Sequence, residues 1–227
     1  MQNYISFILP THNEEKNIIP IIKKILNFTK IYQIEIIVID DNSNDRTDLL
    51  VRQFSRKNPQ VRLISRIGRY GLSSAIKEGF LNANGDIIAV MDSDGQHEVS
   101  SVFNSIKTLI SSRKDLVINS RFLDKSNIYG LSKRREHGSN FANKIARFSL
   151  SKKYEFLTDY LSGCFVLRRD KCINFIKLID VHGFKFLYEL LSISKGKLNI
   201  IEESLNFQPR KSGTSKLDIA IIWDFNI

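Results

Sequence analysis

The sequence predicts an α/β fold with a doubly wound, mainly parallel sheet and helices on both faces. Two observations support this prediction. Short runs of β-branched residues alternate with helical stretches between residues 5 and 119, and these runs are apolar throughout. A strand that is apolar on both sides is typical of a parallel sheet covered by helices. In such folds, ligands bind outside the carboxyl ends of the strands.

The elements follow in order along the chain. In the first half, strands are predicted at residues 5–9, 35–39, 61–64, 86–91 and 115–119, and helices at residues 14–27, 45–56, 71–83 and 99–111. In the less regular second half, the pattern predicts a basic helix at 134–150, a strand at 165–167, a helix at 184–194, a strand at 198–201 and a basic loop at 208–216. We expect one domain over residues 1–216. Residues 217–227 would be an extension: core, an ordered tail or a helix lying on a membrane.

The composition restricts the cellular setting and the partners. Two cysteines, Cys164 and Cys172, are too few for a disulfide framework, so we expect reduced packing residues. Apolar runs stay far below the roughly 20 residues of a membrane span, and the start of the sequence lacks a signal-peptide pattern. We therefore expect a cytoplasmic protein, in solution or peripheral on the cytoplasmic membrane face. A net charge of +10 fits nucleic acid, an anionic membrane surface or phosphorylated small molecules.

Two acidic pairs stand directly after neighbouring predicted strands. Asp40 and Asp41 follow the second strand, and Asp92 and Asp94 follow the fourth. At the carboxyl ends of the sheet the pairs would share a crevice, where carboxylates repel one another unless a cation lies among them. Mg²⁺ and Mn²⁺ take oxygen ligands, so we expect one of these ions at Asp92, Asp94 and Gln96. Turn and helix-cap chemistry explains the first pair equally well.

Seven segments together resemble a known family. They are residues 10–14 (PTHNE), 40–43 (DDNS), 66 with 71–75 (R, GLSSA), 92–97 (DSDGQH), 119–121 (NSR), 162–165 (SGCF) and 210–216 (RKSGTSK). Their order and spacing resemble family 2 glycosyltransferases of the GT-A fold, and more narrowly dolichol-phosphate or polyprenol-phosphate mannosyltransferases. The sequence departs from the family pattern at Ser93, Gly95 and Glu98-Val99, where Ala, Leu and Pro are common. The last departure concerns the start of a helix and not the metal site.

The resemblance implies a role for each matching position. Nucleotide-sugar binding would fall to Pro10, Thr11, Asn13, Glu14, Asp41, Asp92, Asp94, Gln96, Arg210 and Lys216, with Asp41 reading the base. The divalent metal would be held by Asp92, Asp94 and Gln96. The acceptor phosphate would be bound by Arg121, Arg135 and Ser139, and catalysis would depend on Asp94, Arg121 and Arg135.

The implied reaction is the inverting, metal-dependent transfer of a hexose, with mannose favoured, from a nucleotide sugar, with GDP-mannose favoured, to a polyprenyl or dolichyl phosphate. Such an acceptor has a second pKa of about 6 and is largely dianionic at neutral pH, so it needs cations more than a carboxylate base. The cations would come from Arg121, Arg134, Arg135, Arg210 and Lys216. The sequence lacks the Gln-x-x-Arg-Trp signature of processive polysaccharide synthases.

Other functions stay open at this point. A family 2 enzyme could act on a glycan hydroxyl or use UDP-glucose, and Arg134-Arg135 could be a solvated helix face. A basic nucleic-acid-binding module is the alternative from another class. The sequence carries no recognisable DNA- or RNA-binding motif, so we expect no nucleic-acid partner.

Overall fold

A seven-stranded mixed sheet forms the centre of the protein. The computed structural model describes residues 3–68, 71–124, 143–180 and 185–208 of the chain. The strands of these residues are β1 (Tyr4–Thr11), β2 (Gln33–Asp40), β3 (Val61–Ser65), β4 (Ile87–Val90), β5 (Leu116–Ser120), β6 (Phe165–Arg168) and β7 (Ile200–Ser204). Their order in the sheet is β3-β2-β1-β4-β6-β5-β7. Only β6 runs antiparallel to its neighbours, β4 and β5, so the predicted mainly parallel sheet is confirmed.

Helices connect most of the strands. They are α1 (Ile18–Leu26), α2 (Thr47–Ser55), α3 (Leu72–Asn82), α4 (Val99–Ser111), α5 (residues 143–149), α6 (Arg169–Ile176) and α7 (Phe186–Ser194), with a single 3₁₀ turn at Lys152–Tyr154. The pattern missed α6, because only Cys172 and Ile176 of this helix are buried and its apolar periodicity is weak. The rest of the helix predicted at 134–150 and the extension at 217–227 lie outside the described residues.

The core has two layers, one on each face of the sheet. Along β2, Ile36 and Val38 pack with α1, α2 and α4, whereas Ile37 and Ile39 pack with α3 and α7 on the other face. Successive residues of a strand point to opposite faces, so a strand that is buried on both must be apolar throughout. This confirms the predicted cover of helices on both faces. No helix of the described residues is long and apolar enough to cross a membrane.

The strand order places the site at one edge of the sheet. The chain steps from β1 outward to β2 and β3, and then returns to β4 on the other side of β1. This reversal opens a crevice at the carboxyl ends of β1 and β4, where doubly wound folds bind ligands. Strands β2, β5 and β7 end at the same edge, and the antiparallel β6 begins there. We call this edge of the sheet the carboxyl edge.

Candidate active site

The loops after β1 and β2 are bonded to each other at the carboxyl edge. The Asn13 N–H donates to Ser43 Oγ at 2.8 Å, and Asn13 Oδ1 accepts from the Asn44 N–H at 2.8 Å. Asn13 and Asn42 have φ angles of 53° and 59°, in the left-handed region that asparagine tolerates better than most residues. The Asn13 side chain therefore holds two loops together.

Four further residues that are predicted to bind the nucleotide sugar lie at the same end of β1 and β2. The Asp41 N–H donates to the Thr11 carbonyl at 2.8 Å, which holds the residue after β2 against the end of β1. The buried Glu14 carboxylate accepts from Asn17 Nδ2 at 2.7 Å. The structure thus brings Pro10, Thr11, Asn13, Glu14 and Asp41 together.

His12 lies between these loops as a neutral ring. Its Nδ1 is 3.0 Å from the Asp41 carbonyl oxygen, which can only accept, so Nδ1 carries the proton. Its Nε2 then accepts from the Asn13 amide at 3.3 Å. Both ring nitrogens are therefore used in holding the loops together.

The charges of Asp40 and Asp41 are offset by the protein itself. Asp40 accepts hydrogen bonds from the N–H and the hydroxyl of Ser43. Asp41 forms an ion pair with Arg66 at 3.0 Å and accepts from the Gly71 N–H at 2.9 Å. Arg66 also pairs with Glu78 at 3.1 Å, which anchors α3.

The charge repulsion that we expect between crowded carboxylates is thus offset at the first acidic pair by the protein itself. The cation beside Asp41 is the Arg66 guanidinium. Within the described ranges, no cluster of three or more acidic, histidine or cysteine side chains could hold a metal ion. The turn-and-cap explanation therefore accounts for Asp40, whose oxygens bond to the turn at Ser43.

The loop after β4 has a tight turn that presents the second acidic pair. Asp94 Oδ1 accepts from the Gln96 N–H at 2.9 Å, and Gly95 between them has a φ of +81°. An aspartate that bonds to the backbone two residues on is an Asx turn, and a positive φ suits glycine. Ser93 Oγ donates to the Pro10 carbonyl at 2.9 Å. The Asp-x-Asp loop is thereby fastened to β1.

Gln96 links this loop to the segment after β7. Its Nε2 donates to the Gln208 carbonyl at 3.2 Å, and the Gln208 N–H donates back to the Gln96 carbonyl at 2.9 Å. Gln96 Oε1 accepts no hydrogen bond from the residues that the structure describes. The amide oxygen is thus available as a ligand while the amide nitrogen fixes the side chain.

The residue types fit the predicted divalent cation. The Asp92 side chain is 35% exposed, so its carboxylate can reach a bound ion. Asp92 and Asp94 supply carboxylate oxygens and Gln96 an amide oxygen, the hard ligands that Mg²⁺ and Mn²⁺ favour. Mg²⁺ commonly takes only one or two protein carboxylates and completes its shell with water and substrate phosphates. A site with two carboxylates is therefore sufficient.

His97 and Gly163 position Asp92. His97 Nδ1 accepts from the Asp92 N–H at 3.0 Å, so the neutral ring carries its proton on Nε2, which faces Asp92 Oδ2 at 3.7 Å. The ring packs against Phe207. On the other side, a Cβ added at Gly163 would lie 2.8 Å from Asp92 Oδ2. The carboxylate therefore rests directly on the Gly163 backbone.

Arg121 stands at the same edge, directly after β5, in a rigid ion pair. Its Nε and Nη2 donate to the two oxygens of Asp159 at 2.7 and 2.8 Å, and its backbone N–H donates to Asp159 at 3.2 Å. Asp159 has no exposed side-chain surface, and that of Arg121 is 16% exposed. Such a bidentate pair fixes the plane of the guanidinium as well as its position.

Electrostatics connect Arg121 to the acidic loop. Burial alone would lower the pKa of Arg121, but the carboxylates of Asp159 and Asp92 outweigh burial and raise the pKa above its usual value. Burial and the same two carboxylates raise the pKa of the Cys164 thiol, which is therefore an inert packing group. The predicted acceptor cation Arg121 therefore lies within the electrostatic influence of the predicted metal ligand Asp92.

Comparison with known proteins identifies the family. The profile of Glycosyl transferase family 2 matches residues 6–175. The chain belongs to glycosyltransferase family 2.

Curated relatives of this family 2 protein share a narrower kind of name. It is 34% identical to the dolichol-phosphate mannosyltransferase of Pyrococcus furiosus over 97% of this chain and 61% of that protein. It is 27% identical to the polyprenol monophosphomannose synthase of Mycolicibacterium smegmatis, over 92% of this chain and 79% of that protein. A dolichyl-phosphate beta-glucosyltransferase of Trichomonas vaginalis is 26% identical over 95% of this chain and 69% of that protein. The chain spans less than two thirds of the Pyrococcus protein.

Solved structures confirm the GT-A fold. Glucosyl-3-phosphoglycerate synthase of Mycobacterium tuberculosis, in complex with Mn²⁺, UDP and glucosyl-3-phosphoglycerate, superposes with a TM-score of 0.70 at 20% identity, over 93% of this chain and 73% of that one. The same enzyme has also been solved with Mg²⁺ and UDP. At this identity the likeness shows the fold alone.

The remaining predicted site residues of the family 2 protein lie outside the described residues. They are Arg135, Ser139, Arg210 and Lys216. Conversely, the sequence analysis gave no role to Asp159, the partner of Arg121. The available signal was an acidic residue in a mainly apolar segment, residues 156–161, three residues before Ser162-Gly163.

Proposed function

We propose that this protein is an inverting, metal-dependent transferase that moves a hexose, with mannose favoured, from a nucleotide sugar, with GDP-mannose favoured, to a polyprenyl or dolichyl phosphate. One observation carries the proposal: the Arg121 guanidinium is locked by Asp159 beside the acidic loop of Asp92. A fixed cation next to a donor-phosphate site is what a phosphate acceptor requires.

On the donor side, Asp92, Asp94 and Gln96 would hold Mg²⁺ or Mn²⁺. When bound, such an ion neutralises the diphosphate charge that develops as the sugar leaves. The chain orients these ligands itself, through the Asx turn at Asp94, the His97 ring behind Asp92 and the bond of Gln96 to Gln208. The nucleotide would be bound by five residues of the loops after β1 and β2 and of the strand ends: Pro10, Thr11, Asn13, Glu14 and Asp41.

On the acceptor side, Arg121 would hold the nucleophilic phosphate. Asp159 uses Nε and Nη2, whereas Nη1 makes no hydrogen bond to a described residue. Arginine suits phosphate because its planar donors match the phosphate oxygens. A dianionic phosphate needs no carboxylate base, so Asp159 can remain ionised as the partner of Arg121. We propose that Arg135 and Ser139 complete this pocket, and that Arg210 and Lys216 contact the donor phosphates.

The names of the relatives support the acceptor class and leave the sugar open. The Pyrococcus and Mycolicibacterium relatives are named for mannose and a lipid phosphate, whereas the Trichomonas relative is named for glucose. Glucose from UDP-glucose is therefore the second candidate. The proposed partners are a nucleotide sugar, a polyprenyl phosphate lipid and a peripheral anionic membrane surface.

The test is a transfer assay with GDP-mannose and UDP-glucose, each labelled in the sugar, using a polyprenyl phosphate and Mn²⁺ or Mg²⁺. We expect label in an organic-soluble product that mild acid releases, and no product with chelator or with Asp94→Asn. An active enzyme that labels only an acid-stable glycan would contradict the lipid-phosphate acceptor and favour a hydroxyl acceptor.

A further inference from the structure

A second carboxylate lies behind the Arg121–Asp159 pair. Glu202, on β7, accepts from the Thr158 N–H at 2.9 Å with both oxygens, from the Asp159 N–H at 3.0 Å and from the Thr158 hydroxyl at 3.0 Å. Glu202 is thus a clamp on the peptide segment that carries Asp159. It stands 43 residues from Asp159 along the chain and reaches it through the pairing of β7 with β5.

The Thr158 hydroxyl extends this clamp to the other side of Arg121. It is 2.6 Å from Ser120 Oγ, which in turn accepts from the Phe122 N–H at 3.0 Å. The residues before and after Arg121 are therefore tied to the same threonine. Two routes of hydrogen bonds run from Glu202 to Arg121, one through Asp159 and one through Thr158 and Ser120.

Stability alone is a poor reason for this arrangement. Two carboxylates that approach each other inside a protein disfavour each other's charge. Burial, assisted by the charge of Asp159, raises the pKa of Glu202 despite the hydrogen bonds it accepts from Thr158 and Asp159. Hydrophobic residues of similar volume are often more stabilising than buried charged groups. The feature that Glu202 does provide is a fixed direction for the Asp159 carboxylate.

We propose that Glu202 is a positioning residue for Arg121: through the Thr158–Asp159 segment it holds the guanidinium at the angle that the acceptor phosphate needs. This inference rests on the proposed function, because that proposal assigns Arg121 to the acceptor phosphate. Displacement of a reacting group by about 1 Å can cost a factor of 10² in rate. Loss of the clamp should therefore appear in the use of the acceptor and spare the donor.

The chain offers a matched control on the same strand. Glu203 is the next residue of β7 and is also half-buried, but it faces α4, where it accepts from the hydroxyls of Ser105, at 2.6 Å, and Thr108. Glu203→Ala removes a half-buried carboxylate that accepts two hydrogen bonds, where Glu202 accepts four, and that bonds to neither Thr158 nor Asp159. It reports the purely structural cost of such a change.

The experiment measures KM for acceptor and for donor, kcat and Tm in both variants. We expect Glu202→Ala to raise the acceptor KM about tenfold or more and to leave the donor KM within about twofold, the size of effect that a lost buried hydrogen-bonded anchor allows. Glu203→Ala should lower Tm and change neither KM. An acceptor KM in Glu202→Ala no higher than in Glu203→Ala would overturn the inference.

Two milder variants keep the test decisive if Glu202→Ala fails to fold. Glu202→Gln retains an oxygen that can accept from both N–H groups, whereas Glu202→Asp retains the charge but shortens the reach. Positioning predicts that Gln preserves acceptor KM better than Asp. The opposite ranking would mean that the charge of Glu202 matters and not its clamp, and would overturn the inference.

Arg121→Lys separates this inference from the proposed function. If Arg121→Lys leaves acceptor KM unchanged, the acceptor site itself is wrong and the inference falls with it. If Arg121→Lys raises acceptor KM while all Glu202 variants behave like Glu203→Ala, the proposed function stands and only the positioning role of Glu202 is lost.

Discussion

The acidic pairs Asp40–Asp41 and Asp92–Asp94 follow strands on either side of β1, yet their surroundings differ. The Asp41 side chain is 8% exposed and pairs with Arg66, and Asp40 bonds to Ser43. The Asp92 side chain is 35% exposed and has the neutral His97 ring behind it. The comparison teaches that acidic residues at strand ends do not by themselves indicate a metal site. The Arg66 ion pair distinguishes Asp41 from Asp92, whose partly exposed carboxylate a ligand can reach, whereas Asp94 is as buried as Asp41.

Asp94→Asn should have the largest effect on activity. If Asp94 is a metal ligand, loss of its charge should reduce metal-dependent turnover by about 10³-fold, since a divalent ion at a leaving group supplies several kcal/mol. Initial rates with Mn²⁺ would measure this, with far-UV circular dichroism as the control for folding. Turnover close to the unaltered level would refute the site assignment.

For the first pair, Arg66→Met should affect stability instead. It leaves Asp41 buried without its cation, which costs about 3 kcal/mol or more. Urea unfolding would measure the loss, and Asp92→Asn is the matched control, expected to stay within about 1 kcal/mol because its carboxylate is partly exposed. Equal losses in the two variants would remove the contrast between the pairs.

Metal removal should affect the protein differently with and without nucleotide. The expected ion has only two protein carboxylates and takes further ligands from the substrate phosphates. Chelation without nucleotide should therefore leave Tm unchanged. GDP at about 100 times the Kd that it has with Mn²⁺ should add about 2.7 kcal/mol of stability, and chelator should abolish this gain. Differential scanning fluorimetry with GDP and UDP would measure both effects. A fall in Tm on chelation alone would point to a structural ion.

Gly163→Ala probes the support of Asp92 with a smaller change. The added Cβ would lie 2.8 Å from Oδ2 and 3.0 Å from Oδ1, so the carboxylate must move. We expect the half-saturating Mn²⁺ concentration to rise roughly tenfold, as when outer-shell partners of a metal site are lost. Activity measured against Mn²⁺ concentration would test this. An unchanged metal requirement would mean that Asp92 is not a ligand.

A smaller effect is expected at Glu35, another buried carboxylate that accepts hydrogen bonds from protein donors. Burial opposes its charge, but hydrogen bonds from Ser6 and Asn84 and the charge of Arg62 hold its pKa below the usual 4.5. Its folded pKa is lowered, so its contribution to stability is present above pH 4.5 and is lost as the pH falls through the folded pKa. At acidic pH the free energy of unfolding should therefore fall less steeply with decreasing pH in Glu35→Gln than in the unaltered protein. An unchanged slope would contradict the shift.

The sequence predicted the sheet and most of its helices because apolar runs and turn residues are local signals. It could not show that β6 is antiparallel, since a short apolar strand has no direction in its composition. The partners of charged residues were also inaccessible. Arg121 meets Asp159 across 38 residues, and Asp41 meets Arg66 only because β3 ends beside β2. Side-chain pairing of this kind depends on the assembled sheet, so the sequence could indicate candidate charges but not which of them are already satisfied.

The attachment of both donor-side loops to β1 has a further consequence. Ser93 bonds to the carbonyl of Pro10 and Asp41 to that of Thr11, so adjacent residues of one central strand anchor both loops. If Asp41 contacts the base and Asp92 the metal, β1 fixes the separation between the two ends of the bound nucleotide diphosphate. A fixed separation between the two loops would favour donors whose phosphate chain has the matching length, whichever sugar they carry.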